Sequence, residues 1–457
     1  MNKVSNAFRK ALNIMYKIIP LAIGIICYYP QYAVNGGSNY PLCDAFFSAL
    51  KLYSGSIECG LNSSGLLQLA RFMALAAALS ILIGVFNKLQ DIITMINVYM
   101  PSSTVVYGDS ECAEHLYNDL PRHIRIRGGN RMIKHASRYV IMFSDDDSTL
   151  SFYNRNYDIL AGKRVYLQLE NISRQNIQDP TVSVFSPSEN CARSYWKSYP
   201  VERSEKIAII GFGSVGQDIL SYGLQINLID PQQHFEYHVY GDGRQFRREH
   251  ISLGEMTPDS IVFHDDGITN YEELRDFDRL IICGSESENL LTVSRLMEFV
   301  PGCPALDVYA PGGDLMSKLF GNDRLRWFGR AEDTASAEVV LNEKCYEAAR
   351  RQHEAYASKY GGVSWQKLDS FKRYSNVSSS DFEFTIDRLI KKGVPAETIA
   401  ELEHIRWCRY HYLNNWKYGE QRNDKMRIHN CLVPYSQLSE EEKQKDADAI
   451  RSRKKEQ

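Results

Sequence analysis

The chain has 457 residues, of which 53 are Lys or Arg and 56 are Asp or Glu, giving a formal net charge of −3. This length predicts roughly two to four domains, and a hydrophobic content of 44% is enough for ordinary buried cores. This slightly negative net charge does not support an assembly in which a nucleic acid passes through a ring of basic protein subunits. Ten cysteines show no paired metal-ligand spacing, so no metal site is predicted.

Two apolar segments near the N-terminus predict membrane-spanning helices. The segment 66–86 has only Gln68 and Arg71 as strongly polar interruptions, and about 20 apolar residues rising 1.5 Å each cross a bilayer core. The segment 13–29 is interrupted by Lys17 and Pro20, so a cleaved signal peptide is the alternative there. Tyrosines and proline follow it, however, where a cleavage site needs small residues.

Basic residues fix the predicted orientation of these two spans. Lys3, Arg9, Lys10 and Lys17 precede or enter the first span, and Lys88 follows the second. The positive-inside rule then places both termini in the cytoplasm and predicts an inner-membrane location. The loop 31–65 would face outward, where Cys43 and Cys59 could form a disulfide or remain two small buried hydrophobic residues.

The segment 42–60 predicts a re-entrant pore loop. It reads as a short helix followed by a turn at Ser54, Gly55 and Ser56, and irregular backbone at membrane depth is tolerated where it lines a water-filled cavity. The order of span, short helix, turn and span resembles the two-span potassium-channel family, although the Thr-Val-Gly-Tyr-Gly filter is missing. A ring of Glu58 would favour cations and a ring of Lys51 would oppose them. An exposed hairpin with no pore is the alternative.

A glycine motif follows an apolar strand at residue 205. Gly211-x-Gly213-x-x-Gly216 stands between this strand and a helical pattern, as in loops where backbone N–H groups approach a pyrophosphate. Asp242 follows the next clear strand, where an acid could reach a ribose hydroxyl.

Further apolar strands predict doubly wound parallel sheets. Strands are expected near residues 103–107, 138–143, 163–169, 236–240, 260–264, 279–284 and 305–309. The earlier copy carries Gly108, Ser110 and Ala113 in place of the three glycines, so we expect it to pack rather than to bind.

The two units at 102–342 resemble regulator-of-potassium-conductance domains. The resemblance implies Rossmann-like folds that assemble in rings and gate a pore when a ligand binds. A dehydrogenase is the alternative, but no convincing acid–base set accompanies the glycine motif. The protein is therefore not predicted to be an enzyme.

The C-terminal region carries a third motif. Residues 343–360 predict a charged helix, and residues 375–381 predict a loop or helix N-cap before a helix at 382–392. A helical His and Trp, then Trp-Lys-Tyr-Gly at 416–419 and Leu-Val-Pro-Tyr at 432–435, resemble the ryanodine-receptor repeat (RyR) domain.

This resemblance implies a receptor for a nucleotide-derived signal, in some bacterial cases as an effector in defence against phage. Arg406, Trp407, Trp416 and Lys425 are the predicted ligand contacts, because aromatic and basic residues together can stack a base and hold a phosphate. The alternative is that the aromatic residues form the core of a small helical domain.

The predicted fold class is a membrane α-helical pore domain, then cytoplasmic α/β doubly wound Rossmann-like domains, then a small mainly helical domain. The predicted boundaries are 1–100, 101–202, 203–342, 343–395 and 396–457. The predicted function is a homotetrameric, ligand-gated cation channel, with membrane lipid, ions and a nucleotide or oligonucleotide as partners. A membrane-anchored nucleotide sensor without a conducting pore is the alternative.

Overall fold

The computed structural model describes residues 2–35, 38–56, 64–129, 132–172, 181–300, 304–313, 324–341 and 344–444, with residues 177, 179, 302, 447 and 450. It consists of two compact units, Met1–Asn97 and Val98–Gln457. Cys59 and Glu58, on which the predicted disulfide and cation ring depend, lie outside the described residues.

The α-helices in the described residues of the first unit are α1 (Asn2–Pro30), α2 (Pro41–Lys51) and α3 (Gly65–Val98). Within the part of the chain that the structure describes, two stretches are long and apolar enough to cross a membrane, Met15–Val34 with a mean hydropathy of 1.2 and Gly65–Phe86 with 2.2. A core helix of a soluble protein or a signal sequence can have the same length and composition. Both predicted spans are thus helical, and the pore itself stays a hypothesis.

Helix α2 packs closely against α1. A Cβ atom on Gly24 would lie 2.7 Å from the Cβ atom of Ala49, so the small residue permits close contact between the helices. The hydroxyl groups of Tyr32, in the π-helical turn that follows α1, and Ser48 of α2 lie 2.7 Å apart. The predicted short helix between the spans is therefore present and is held to the first of them.

The second unit begins with a five-stranded parallel sheet in the order β2-β1-β3-β4-β5. Its strands are β1 (Thr104–Tyr107), β2 (Arg125–Arg127), β3 (Arg138–Ile141), β4 (Arg164–Gln168) and β5 (Val182–Phe185). Its helices are α4 (Glu111–Asp119), α5 (Asp146–Arg155), α6 (Tyr157–Leu160) and α7 (Pro187–Ser198). The order 2-1-3-4-5 is one of the two common doubly wound orders.

A six-stranded parallel sheet follows, in the order β11-β10-β9-β6-β7-β8. Its strands are β6 (Lys206–Ile210), β7 (Glu236–Tyr240), β8 (Ser260–His264), β9 (Arg279–Ile282), β10 (Leu306–Tyr309) and β11 (Leu325–Phe328). Its helices are α8 (Ser214–Ile226), α9 (Arg244–Glu249), α10 (Glu286–Phe299), α11 (Ala331–Thr334) and α12 (Ala337–Val340). Counted from β6, this is the 3-2-1-4-5-6 order of dinucleotide-binding folds. The prediction of Rossmann-like parallel sheets is confirmed.

Helices form most of the remaining described part of the second unit. They are α13 (Lys344–Tyr360), α14 (Ser370–Lys391) and α15 (Ala396–Leu413), followed by the paired strands β12 (Lys417–Tyr418) and β13 (Ile428–His429). The predicted loop at 375–381 is wrong, because α14 runs through it from an N-cap at Asp369. Ser378 is buried there and donates to Gln225 Oε1 at 2.7 Å, so tertiary contacts stabilise the serine-rich helix.

Candidate functional site

Two of the three motif glycines are required by the packing of the second sheet. Gly211 has a φ of +88°, and a Cβ atom on it would lie 2.5 Å from the backbone nitrogen of Gly284. A Cβ atom on Gly216 would lie 2.3 Å from the carbonyl oxygen of Gly211. A side chain at either position would collide with backbone whether or not a ligand is bound.

Gly213 differs, because a Cβ atom on it would meet no atom of the described residues within 4 Å. It is the N-cap of α8, which has no side-chain cap and no acidic residue in its first turn. The first N–H groups of a helix lack intrahelical partners and favour an anion. The second glycine of a dinucleotide-binding loop lets the backbone approach a pyrophosphate. Gly213 therefore provides the free space and the donors that a phosphate needs.

Asp242 lies beside this loop, at the carboxyl end of β7. A Cβ atom on the preceding Gly241 would lie 3.1 Å from the backbone nitrogen of Phe212, which places the two loops in contact. The Asp242 carboxylate accepts from Arg244 Nε at 2.8 Å and from Arg244 Nη2 at 2.7 Å. These hydrogen bonds lower the pKa of Asp242 well below its usual value. Asp242 thus lies just after the strand that follows the glycine motif, as predicted, and its carboxylate is paired with Arg244.

Arg244 and Arg247 are residues of this site that the sequence analysis missed. The Arg247 Nη2 atom lies 2.7 Å from Asp265 Oδ2, while Asp265 Oδ1 accepts from the Gly243 backbone at 2.9 Å. The sequence contains the run Asp-Gly-Arg-Gln-Phe-Arg-Arg at 242–248, from which these arginines could have been predicted. In NADP-binding folds an arginine beside the acid accommodates a phosphate on the ribose.

A buried amide, also missed, lies across the crevice from the glycine loop. Asn289 is completely buried, and its Nδ2 atom donates to the Tyr309 carbonyl at 2.8 Å. Its Oδ1 atom has no hydrogen-bond partner within the described part of the chain. This oxygen lies near Gly284, since a Cβ atom there would be 3.1 Å from it. It could accept a hydrogen bond at the point where the strand order reverses.

Helix α9 connects this site to the C-terminal helices. It begins after Gly243 and ends at Glu249, and the His250 Nδ1 atom that follows donates to the Leu413 carbonyl at 2.7 Å. The Asn415 amide donates to the Glu249 carbonyl at 2.6 Å and accepts from the Ile251 backbone at 2.9 Å. A six-residue helix therefore joins Asp242 to the end of α15.

The second predicted ligand site is not open. Arg406 is 1% exposed, with Nε and Nη2 each 2.8 Å from a Glu403 oxygen and Nη1 2.8 Å from Ser378 Oγ. All three guanidinium nitrogens of Arg406 therefore bind other protein groups, so these contacts do not favour its predicted role as a ligand contact, which stays a prediction. Trp416 is buried and stacks on Phe371 with 4.9 Å between ring centroids.

The other two predicted contacts of that site, Trp407 and Lys425, differ in their exposure to solvent. Trp407 is half-buried and packs against His411, with 4.0 Å between ring centroids, and against His429 at 4.9 Å. Lys425 is exposed. The aromatic residues thus behave as a core, which was the alternative interpretation of this motif.

Two histidines belong to this aromatic core. His411 and His429 are 4% and 7% exposed, and their rings lie 5.8 Å apart. Burial lowers the pKa of His411 to about 3 and that of His429 to about 4. Both side chains are therefore neutral near pH 7.

The predicted pore turn is described at three of its four residues. Gly55 ends the turn with a φ of +78°, and the hydroxyl groups of Ser54 and Ser56 lie 3.2 Å apart. The Arg71 Nε atom donates to the Gly55 carbonyl at 2.5 Å. This contact places a cation directly at the turn.

Comparison with known proteins identifies one segment of the chain. No curated protein and no solved structure matches the chain. The resemblances of residues 1–342 to potassium channels and to regulator-of-potassium-conductance domains therefore remain hypotheses. The family model of the RyR domain matches residues 391–455, the region in which the sequence motif was recognised.

Proposed function

We propose that the chain is a ligand-gated ion channel of the membrane, in which the second sheet binds a nucleotide-derived ligand. Copies of the first unit would form the pore, most simply as a homotetramer. The RyR segment and the two sheets would form its cytoplasmic sensing part.

The observation that carries the ligand-binding half of this proposal is the free space at Gly213. Packing accounts for Gly211 and Gly216, but nothing in the described part of the protein requires a glycine at 213. The loop lies in a sheet with the dinucleotide-binding strand order, next to an acid at the end of β7. A phosphate at the start of α8 and a ribose near Asp242 fit these groups.

The membrane half is supported by the apolar surface of the first unit. Phe72 is 70% exposed on α3 and Phe47 is 63% exposed on α2. Large exposed apolar surfaces favour membrane or protein contacts. A short helix and a glycine turn between two such helices suit a re-entrant pore loop.

A membrane-tethered sensor without a pore is the second candidate. It is favoured by the contact between Arg71 and the Gly55 carbonyl, because a ring of cations at the turn opposes cation conduction. In that case the two apolar helices only anchor the protein and bring copies together.

Ion flux through sealed liposomes tests the proposal. The full chain is reconstituted with potassium, sodium and chloride gradients, and NAD⁺, NADP⁺, ATP and short oligonucleotides are added in turn. We expect flux that responds to one of these ligands and is lost in Gly213→Val. Gly254→Val is the matched control, because a Cβ atom at Gly254 also meets no described atom within 4 Å. Binding without flux would support the tethered sensor, and the absence of binding would overturn the nucleotide assignment.

A further inference from the structure

A second cleft borders the first sheet, and none of its lining residues belongs to the glycine loop. It has a volume of about 900 Å³ and separates the outer edge of strand β5 from helices α13 and α14. Small-molecule sites usually have volumes of about 300–1,000 Å³. The cleft is therefore large enough for a nucleotide.

One wall of the cleft is the outer edge of the first sheet. Among the described residues, strand β5 pairs with β4 alone, and the Thr181 and Phe185 carbonyls accept from Val165 and Leu169. Peptide groups alternate in direction along a strand, so those of Val184 point away from β4. Val184 also lines the cleft. The wall thus presents a backbone donor and acceptor that could read the edge of a base.

The opposite wall carries positive charge without matching negative charge. Arg350 is exposed and has no hydrogen-bond or ion-pair partner among the residues that the structure describes. Arg373 donates from Nε and Nη2 to the Trp365 and Gln366 carbonyls, at 3.2 and 2.8 Å. These bonds fix its guanidinium, yet no carboxylate in the described ranges pairs with it.

The acids of the cleft already bind other groups. Asp369 accepts from the Lys372 backbone at 2.8 Å and lies 3.1 Å from Lys372 Nζ. Asp179 accepts from the backbone and hydroxyl of Thr181 at 2.8 and 2.7 Å. Neither carboxylate therefore offsets the two arginines by direct pairing.

Aromatic side chains complete the lining. Trp365, Tyr346 and Tyr374 all face the cleft, and the two tyrosine rings meet edge-to-face with 5.9 Å between centroids. Base–aromatic stacking and arginine–phosphate contacts are the interactions by which proteins hold nucleotides without regard to sequence.

We propose that this cleft is a binding site for a purine nucleotide with two or more phosphates. The base stacks on an aromatic side chain and bonds the outer edge of β5, and the phosphates bind Arg350 and Arg373. The inference does not rest on the glycine loop, because the cleft lies on the other sheet and shares none of its residues.

Titration calorimetry of the full chain in detergent micelles tests this site, with ADP as the probe. Gly213→Val is the background, so that binding at the glycine loop does not contribute. We expect binding of one ADP per chain, weakened roughly tenfold or more by Arg350→Ala and again by Arg373→Ala. Arg351→Ala is the matched control, since Arg351 is the exposed neighbour on the same helix and does not line the cleft.

Tryptophan fluorescence and a second probe separate a nucleotide site from a site for anions alone. We expect ADP to quench the emission of the Gly213→Val protein, and Trp365→Phe to remove that change. Tripolyphosphate should compete for the arginines without the quench. Equal affinity for ADP and tripolyphosphate, loss of binding in Arg351→Ala, or no ADP binding in the Gly213→Val background would each overturn the proposal. Failure of Gly213→Val alone to alter ligand-dependent flux would instead count against the glycine-loop function.

Discussion

Arg409 and Asp259 form a buried ion pair, with 2.6 Å between Nη1 and Oδ2. Their side chains are 2% and 1% exposed, and the same arginine nitrogen donates to the Leu224 carbonyl at 2.8 Å. Arg409 lies on α15 within the RyR match, whereas Asp259 precedes strand β8. The pair therefore attaches the RyR segment to the second sheet through groups that have no access to water.

We predict that Arg409→Met destabilises the full chain strongly. Removing one partner leaves a buried charge unpaired, which costs about 3–5 kcal/mol, whereas an exposed pair contributes about 0–1 kcal/mol. Arg203→Met is the control, because its pair with Asp278 leaves Arg203 74% exposed. Urea unfolding in detergent measures both changes. Equal effects of the two substitutions would show that the buried pair has no special role.

Substitutions of the motif glycines should separate packing from ligand binding. Gly216→Ala should lower the free energy of unfolding, because its Cβ atom would lie 2.3 Å from the Gly211 carbonyl oxygen. Gly213→Ala should leave the midpoint of thermal unfolding nearly unchanged and weaken ligand binding. Thermal scans and titration calorimetry of the two variants give the comparison. A large loss of stability in Gly213→Ala would contradict the free space assigned to that position.

The sequence predicted the strands of both sheets where apolar residues run without interruption, as at Ile207–Ile210. It missed the edge strands β2, β5 and β11, because Arg125–Arg127 has one apolar residue, Val182–Phe185 includes a serine and Leu325–Phe328 includes an arginine. Such short edge strands form through pairing with a neighbour. Their own sequence carries little of that information.

For the side chains of the candidate sites, too, contacts that form only on folding could not be predicted from the local sequence. The glycine spacing located the phosphate loop because its backbone requirements are local. The hydrogen bonds of Arg406 could not be predicted, because one of its nitrogens donates to Ser378, which lies 28 residues away in the sequence. Arg350 and Arg373 belong to different helices, so their common cleft with β5 appears only after folding.

The aromatic core predicts a pH dependence of stability. An unfolded histidine has a pKa near 6.5, whereas those of His411 and His429 are lowered to about 3 and about 4. Well above pH 6.5 both states are neutral, so these groups contribute no slope there. Below it the unfolded state binds protons that the folded state does not, and stability falls by about 1.4 kcal/mol per pH unit for each histidine.

Comparing the wild type with His411→Phe between pH 7.5 and 5 measures this contribution, since other titrating groups cancel in the difference of slopes. The variant should lose stability less steeply as the pH falls below 6.5. His123→Gln is the control, because His123 is exposed and lies just before strand β2 of the first sheet. Parallel curves for wild type and His411→Phe would exclude a buried neutral histidine at this position.

Asn415 should control how the RyR segment responds to ligand at the glycine loop. Its amide bonds Glu249 and Ile251 at the end of α9, whose other end carries Asp242 and Arg244. Two such hydrogen bonds contribute about 1–3 kcal/mol, which equals the usual range of coupling between sites. Asn415→Gly removes the amide and keeps the φ of +60° accessible.

The ligand concentration for half-maximal flux should therefore rise roughly tenfold in Asn415→Gly, while the dissociation constant at the loop changes little. Asn415→Asp keeps the acceptor for Ile251 and loses the donor to Glu249, so its effect should be intermediate. Calorimetry and liposome flux on the same preparations separate affinity from response. If affinity and flux changed by the same factor, Asn415 would support the binding loop itself. Unchanged flux in both variants would show that α9 does not carry the signal.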